Sequence, residues 1–553
     1  MAPRCCHLMQ TFSLLFTLIS FTHSEVFLAL AHMKYLVQME IILGGHLQQY
    51  LHYNPSAPSD LKRLAKDVRT HVKDVQDADM EVFIGHPVNS YLLIWRFLRE
   101  WSNVGNKLDV TNPTGKELRE IIDEYNSSFP DLKDLQGCAL AILRLQDVYH
   151  ISAEKIADGR LSDKVLSPRM RTAHCLELGH INHHWKNYEQ AYGWFMEAWK
   201  RMNSLDKSSG IQNRDVLQYL IWAEYKTGRI EGALYHTNLL LEEDPNDKEA
   251  KQGKEFYESR LKMMQEGNYI EEEEENDAEN GEENDEENDE ETGSEEPKKA
   301  PPKEEFMYHY ERLCRGESNK SQAEMDMLTC YYYNKHPLLV LNPAKIEMAS
   351  LKPNIYLLHD IIRDEDMEFI KERAAPRLQR ATVTNRFTGN LEFADYRISK
   401  SAWLEDSEGE AIRRLNKKLK AITGLSTARE HSEALQVVNY GIAGQYEPHL
   451  DHALSKNSAI LKMGKRNRIA TVLIYMSDVE AGGSTVFLDA ETIIPTKKGT
   501  AAFWFNLLKS GESDVRTRHA GCPVIIGSKW VSNKWIHEDG QEFRRPCGLS
   551  QDE

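Results

Sequence analysis

The stretch GQYEPHLDH at 444–452 sets His449 and Asp451 two positions apart. On an extended strand alternate side chains share a face, so an imidazole and a carboxylate would be aimed at one point. Seventy residues on, His519 in TRHAGCPV (517–524) offers a second imidazole. Two His and one carboxylate form the facial set that leaves positions open on Fe(II) for a co-substrate and dioxygen. With 21 His in the chain an isolated H-x-D arises by chance, so the surrounding sequence has to carry the reading. Lys529 does so. It opens KWVSNKWIH (529–537), where Lys529, Val531, Asn533 and Trp535 share one strand face and Trp530, Ser532 and Lys534 the other. A dicarboxylic co-substrate that chelates iron at one end needs such a cation at the other.

Around this point the sequence patterns as β. LQVVNY (435–440), RIATVLIYM (468–476), STVFL (484–488), TAAFWF (500–505) and CPVIIG (522–527) join KWVSNKWIH as short runs, with Gly482-Gly483, Lys498-Gly499 and Gly527-Ser528 as turns. The spacing predicts a two-sheet jelly roll whose mouth encloses a metal and a small co-substrate. Residues 305–430 predict a mixed region with helices near 363–375 and 407–421.

The first half reads as helical. Residues 29–52 space Met33, Leu36, Val37, Leu43, Leu47 and Leu51 at three- and four-residue steps, a stripe interrupted by Glu40 and Gly44 and suited to a partner helix or to an intramolecular bundle. Helices are predicted at 59–77 and 88–104 as well. From 165 to 250 a repeat emerges: Leu178, Gly179, Tyr188 and Ala191 are followed 42 positions later by Leu220 and Ala233, with Pro245 closing the unit. Small residues at such places let paired helices approach closely, as in tetratricopeptide units, and SLDKSSGIQ (204–212) is a loop that absorbs the excess length. Tyr188, Tyr192, Trp194, Trp199, Tyr219, Trp222, Tyr225 and Tyr235 crowd this region. Each ring alone is explained by core packing, whereas together they suit a groove for a polyproline-II peptide, which carries little ordering cost.

The formal charge of −18 has one main source. Residues 271–296 hold 17 Asp and Glu and no Lys or Arg, leaving the rest of the chain near neutrality, with no patch suited to nucleic acid. Such a run is a solvated spacer between two halves. At the N-terminus Arg4, the apolar FSLLFTLISF (12–21) and the small residues Thr22 and Ser24 read as a secretory signal too short to span a bilayer. Its removal takes Cys5 and Cys6 and leaves six cysteines for an oxidising compartment, with the pairing open. Asn126-Ser-Ser and Asn319-Lys-Ser are glycosylation triplets.

Six segments, GHPVN (85–89), LRLQD (143–147), YRISKSAWL (396–404), GQYEPHLD (444–451), YMSDVEAGG (475–483) and KWVSNKW (529–535), resemble the α subunits of collagen prolyl 4-hydroxylase in sequence and in order. The resemblance covers about residue 30 to the end and implies a multidomain α + β architecture. Its parts are a signal peptide (1–24), a helical dimerisation domain (25–140), a tetratricopeptide-like peptide-substrate-binding domain (141–255), an acidic linker (256–304), and a double-stranded β-helix with flanking helices (305–553). It implies a 2-oxoglutarate-dependent dioxygenase that converts proline in X-Pro-Gly repeats to 4-hydroxyproline, with release of succinate and carbon dioxide.

Carried over residue by residue, the resemblance gives iron to His449, Asp451 and His519 and the distal carboxylate of 2-oxoglutarate to Lys529, with Tyr440 and Tyr475 beside the co-substrate. Tyr188, Tyr192, Tyr219, Trp222, Tyr225 and Arg397 would meet peptide. Tyr446 would face peptide or support the metal, and Asn533 and Trp535 would stand behind it. The resemblance also implies disulfides Cys314–Cys330 and Cys522–Cys547, buried thiols at Cys138 and Cys175, and L-ascorbate as a reductant. It implies a second α subunit and protein disulfide isomerase in a two-α, two-β tetramer. Because the sequence ends SQDE, without a retention tetrapeptide, that partner would hold the chain in the endoplasmic reticulum lumen. Leu450 and His452 stand where the family commonly has Phe, and His452 should point away from the metal. The alternatives are a lysyl or other prolyl hydroxylase, or a non-catalytic helical-repeat adaptor for proline-rich peptides.

Overall fold

The structure is a computed structural model that describes residues 30–77, 80–161, 167–204, 210–266, 303–384, 391–394, 396–454 and 466–550. The signal segment, residues 205–209 of the expected loop and most of the acidic spacer fall outside the described residues. The first helix, Leu30–Tyr53, buries Met33, Leu36, Val37, Leu43 and Leu47 completely or nearly so. Both interruptions of its stripe have intramolecular partners. Glu40 is wholly buried and accepts from Arg96 Nε and Nη2, each at 2.7 Å, and from Trp101 Nε1 at 3.2 Å, with His71 at its other side. A carboxylate so enclosed persists in the core only because it is ionised and paired. A Cβ on Gly44 would lie 2.5 Å from Val68 on the helix Ser59–Asp77, so the glycine admits that helix. The stripe is therefore covered by the chain's own helices, and a partner subunit would need another face.

Helices Thr172–His184, Tyr188–Ser204, Asn213–Lys226 and Ile230–Glu243 form two hairpins. Leu178, Ala191, Leu220 and Ala233 are fully buried at the matching positions, and Gly179 lies directly against the Phe195 ring. A further helix, Lys248–Gln265, runs ten residues past the boundary expected at 255. Its Phe256 and Tyr257 pack on Tyr225, which is why it continues.

In the C-terminal half the strands are β1 Cys330–Tyr333, β2 Ala344–Leu351, β3 Asn354–His359, β4 Gln379–Arg380, β5 Thr382–Thr384, β6 Leu391–Phe393, β7 Lys400–Leu404, β8 Leu435–Tyr440, β9 Tyr446–His449, β10 Arg468–Tyr475, β11 Ala481–Gly482, β12 Thr485–Phe487, β13 Thr492–Ile494, β14 Ala501–Phe505, β15 His519–Gly521, β16 Val524–Ile526 and β17 Lys529–His537. A nine-stranded sheet runs β1-β2-β3-β14-β10-β17-β8-β7-β4, and a four-stranded sheet runs β13-β12-β15-β9. All their pairings are antiparallel, as a jelly roll requires. Helices Asp364–Ala374 and Glu410–Thr423 cover the outer face of the large sheet through Met367, Ile370, Ile412, Leu415 and Leu419. Val438, Tyr440, Leu473, Tyr475, Phe487, Trp504 and Val531 fill the space between the sheets.

The halves share one core, since Ile398, Ile442, Ala443 and Ile526 pack into the cluster of the N-terminal helices. Among the described residues no helix is long and apolar enough to cross a membrane.

The structure corrects the cysteine pairing. Cys314 is bonded to Cys522, 208 positions away, while Cys330 and Cys547 are exposed free thiols. The helix Lys303–Cys314 lies on the small sheet, where Tyr310, Leu313 and Cys314 pack with Val486, Leu488, Ala520 and Cys522, so tertiary packing rather than nearness in sequence selects the partner. Cys138 and Cys175 are buried helical thiols as expected, and burial pushes the Cys175 thiol up to about 12.

Candidate functional site

His449 and His519 are direct partners across the antiparallel β9–β15 pair. Their ring centroids are 4.4 Å apart. Here the sequence reading needs adjustment: β9 ends at His449, and Asp451 lies in a bend beyond it rather than on the same strand face. The turn brings its carboxylate between the two rings. Oδ1 is 3.8 Å from His449 Nε2, and Oδ2 is 3.7 Å from His519 Nε2. The donor atoms of the three residues lie within 4.8 Å of one another, a spacing one metal ion can bridge.

The surroundings set each donor's state. His449 Nδ1 faces the Glu447 carbonyl at 2.7 Å and His519 Nδ1 the Thr517 carbonyl at 3.0 Å. A proton placed on Nδ1 to donate to those carbonyls leaves Nε2 with its lone pair toward the centre. Burial and the neighbouring His519 hold the His449 imidazole neutral. Asp451 is also buried, which alone would raise it, yet His519, His449 and Arg468 hold its carboxyl below the usual range. Thr471 Oγ1 donates to Asp451 Oδ2 at 2.8 Å and accepts from Asn506 Nδ2 at 3.0 Å. A neutral imidazole at His449 and an ionised carboxylate at Asp451 are forms a metal binds, and two imidazoles with one carboxylate are a donor set that fits Fe(II).

The far wall fits a dicarboxylate. Lys529 is 2% exposed and pairs in register with Tyr440. Its Nζ lies 5.3 Å from the Tyr440 ring centre and 5.9 Å from that of Tyr475. A Cβ on Gly521 would sit 3.9 Å from this Nζ and 3.8 Å from the Tyr440 hydroxyl, filling the space between them. Gly521 follows His519 by two positions on β15, which sets it roughly 7 Å from His519 along the same strand face, the scale of a five-carbon diacid. Burial alone lowers the Lys529 ammonium to about 7. Tyr475 donates its hydroxyl to Thr485 Oγ1 at 2.8 Å, and burial raises Tyr440 to about 12, so both rings present neutral hydroxyls.

Tyr446 stacks on His449 at 3.5 Å between centroids, and Arg397 covers the other side of Tyr446 with its guanidinium 4.7 Å from the ring centre. Arg397 is 8% exposed and donates to the Thr382 carbonyl at 3.0 Å, so it lies behind Tyr446 and His449 rather than at the surface. His452 turns away from the centre to Ser513, and burial lowers it to about 4. Asn533 donates to Gln436 at 3.2 Å, and Trp535 stacks under Arg468 at 3.7 Å. Sequence reading missed Thr471, Asn506, Thr485 and Gly521. Thr471 did carry a signal, being the one aliphatic hydroxyl within the apolar run IATVLIY (469–475).

In the helical repeat the aromatic residues divide. Tyr219 meets His180 at 4.2 Å, Trp222 meets His183 at 4.2 Å and Tyr188 at 4.9 Å, and Lys226 lies over Tyr188 and Trp222, giving one continuous ring surface. Tyr192 lies under Arg229 at 4.3 Å. Trp194 is fully buried and bonded to Gln146, which makes it core, and Tyr225 turns to the last helix.

The two-sheet fold, the converged triad and the buried lysine beside Tyr440 and Tyr475 define a 2-oxoglutarate- and Fe(II)-dependent oxygenase, and the model of the 2OG-Fe(II) oxygenase superfamily matches residues 435–537. Two more family models match, the N-terminal region of the prolyl 4-hydroxylase α subunit at 29–163 and the prolyl 4-hydroxylase peptide-substrate-binding domain at 172–265. Prolyl 4-hydroxylase subunit alpha-1 of Homo sapiens is 38% identical over 551 residues, covering 96% of this chain and 97% of its own. That of Gallus gallus is 37% identical over 541 residues (96% and 100%), and that of Caenorhabditis elegans 36% over 534 (96% and 92%). The chain belongs to the prolyl 4-hydroxylase α-subunit family.

Proposed function

We propose that this chain is the catalytic α subunit of a procollagen-proline 4-dioxygenase, with His449, Asp451 and His519 as iron ligands and Lys529 as the anchor for the distal carboxylate of 2-oxoglutarate. The observation that carries the assignment is the Gly521 gap between Lys529 and Tyr440, two positions along the strand from a ligand histidine. When bound, Fe(II) and 2-oxoglutarate supply the oxidising chemistry, in which dioxygen is consumed, succinate and carbon dioxide are released, and one oxygen enters a proline C–H bond. The chain's own residues position and shield. Lys529 neutralises and orients the diacid, and Tyr440 and Tyr475 place hydroxyls beside it. Thr471 fixes Asp451, and Tyr446 with Arg397 holds the His449 ring. Phe487 and Trp504, 5.4 and 4.7 Å from the His519 ring, keep water from it.

The ring surface of Tyr188, Tyr219 and Trp222, with Tyr192 one turn along, suits proline-rich strands of the X-Pro-Gly type, whose rings stack on aromatic faces without further ordering. Protein disulfide isomerase and a second α chain complete the assembly in this reading, in the endoplasmic reticulum lumen, with L-ascorbate as reductant. Asn126 and Asn319 are exposed and open to glycosylation.

The test is peptide-dependent decarboxylation of 2-oxoglutarate by the full-length chain with Fe(II) and ascorbate. Turnover on proline-containing collagen-like peptides is expected. Turnover on lysine peptides alone, or none at all, would overturn the assignment.

A further inference from the structure

We infer that the GHPVN segment of the N-terminal helical half is a positioning element for the co-substrate pocket, acting through the backbone contact of Gly85 with Gly527. The Gly527 amide donates to the Gly85 carbonyl at 3.1 Å. A Cβ on Gly85 would lie 2.9 Å from both Cα and the carbonyl carbon of Gly527, so no side chain fits between the two backbones. Met33, Ile84 and Gly85 face Asn439, Ile442, Gly527 and Ser528 across a void of only about 20 Å³, room for one water at most.

The turn so clamped leads straight into Lys529. From the catalytic side it is fixed by Ser477 Oγ, which donates to the Ser528 carbonyl at 2.8 Å, and by Asn439 Nδ2, which donates to Ser528 Oγ at 2.9 Å. Gly85 supplies the opposing contact. A side chain there must push the turn by several tenths of an ångström, and Lys529 follows by two residues. Because the lysine meets a carboxylate at a fixed point, a shift of that size weakens co-substrate binding while leaving the metal face and the peptide surface in place. The helical half would then be required for full affinity toward 2-oxoglutarate as well as for handling peptide.

The inference rests on the reading of Lys529 as the diacid anchor. In the full-length chain, Gly85→Val is expected to raise KM for 2-oxoglutarate about tenfold, with kcat and KM for peptide changed less than about twofold. Met33→Ala, which loosens the same seam by cavity formation, should move KM in the same direction. Gly44→Ala, which crowds Val68 within the helical half and touches nothing of the catalytic half, should leave it unchanged. A folded Gly85→Val or Met33→Ala protein with wild-type KM overturns the inference, as does a fall in kcat at constant KM. In the wild-type chain without co-substrate the Gly527 amide should exchange slowly with solvent, and free exchange overturns it independently of any variant. If Lys529→Met also keeps a wild-type KM, the anchor assignment itself has failed. If Lys529→Met raises KM and Gly85→Val does not, only the present inference falls.

Discussion

His449 and His519 stand opposite each other in one antiparallel pair although 70 residues separate them, and the Asp451 carboxylate closes the triangle from the turn that ends the first strand. The site therefore exists only when β9 and β15 are paired. Replacing His519 by Ala removes one of the three proposed iron ligands without touching the repeat domain. Turnover should fall to background while a proline-rich peptide binds with unchanged affinity, measured by decarboxylation and by calorimetry on the same preparation.

Lys529 makes the co-substrate step pH-dependent. Burial brings its ammonium to about 7, so below that pH the cation is present before the diacid arrives, and above it binding must first take up a proton. KM for 2-oxoglutarate should rise by up to about tenfold per pH unit above 7 until the lysine's value in the complex is reached. Calorimetry at pH 8 in buffers of different ionisation enthalpy should report proton uptake approaching one.

The same burial sets a stability effect of opposite sign to the activity effect. In the unfolded chain the lysine keeps its ordinary value of 10.5, so between about 7 and 10.5 the unfolded state holds more protons. The destabilisation from Lys529 is thus complete below about 7 and vanishes above 10.5. Lys529→Met should stabilise the co-substrate-free protein at neutral pH by about 1–4 kcal/mol and abolish productive 2-oxoglutarate binding. Denaturant unfolding of both proteins at pH 7 checks the first part.

Thr471→Val deletes the hydroxyl that holds Asp451 Oδ2 while conserving volume. Iron affinity should drop about 10–100-fold, with much of the activity recovered at high Fe(II). A metal titration followed by turnover distinguishes this from misfolding, which added iron would not rescue.

The convergent triad and the choice of Lys529 as anchor candidate were legible because chemistry confines such groups to rare residue types at the ends of patterned strands. The geometry that joins them was less so. Alternation placed Asp451 on the strand of His449, whereas a bend does that work, because β9 has partners only as far as His449. Strands β2 and β3 escaped notice ahead of the predicted helices, since they are held by pairing, β2 with β3 and β3 with β14, and not by a local motif. Glu40 looked like a flaw in an apolar stripe until Arg96, His71 and Trp101 converged on it from distant segments. Cys314 and Cys522 share the limitation, as their neighbourhood arises only when a helix lies down on a sheet. The aromatic crowd in the repeat was visible as a crowd, but which rings are core, like Trp194, depends on contacts 48 residues away at Gln146.

All three residues of the proposed iron triad sit on the smaller sheet or the turn leaving it; the large sheet supports them through Thr471 on β10, while the apolar layer between that sheet and its covering helices contains none of them. An iron-starved molecule would thus lose order at the lip and keep its wall, an empty vessel ready to be recharged rather than a ruined one.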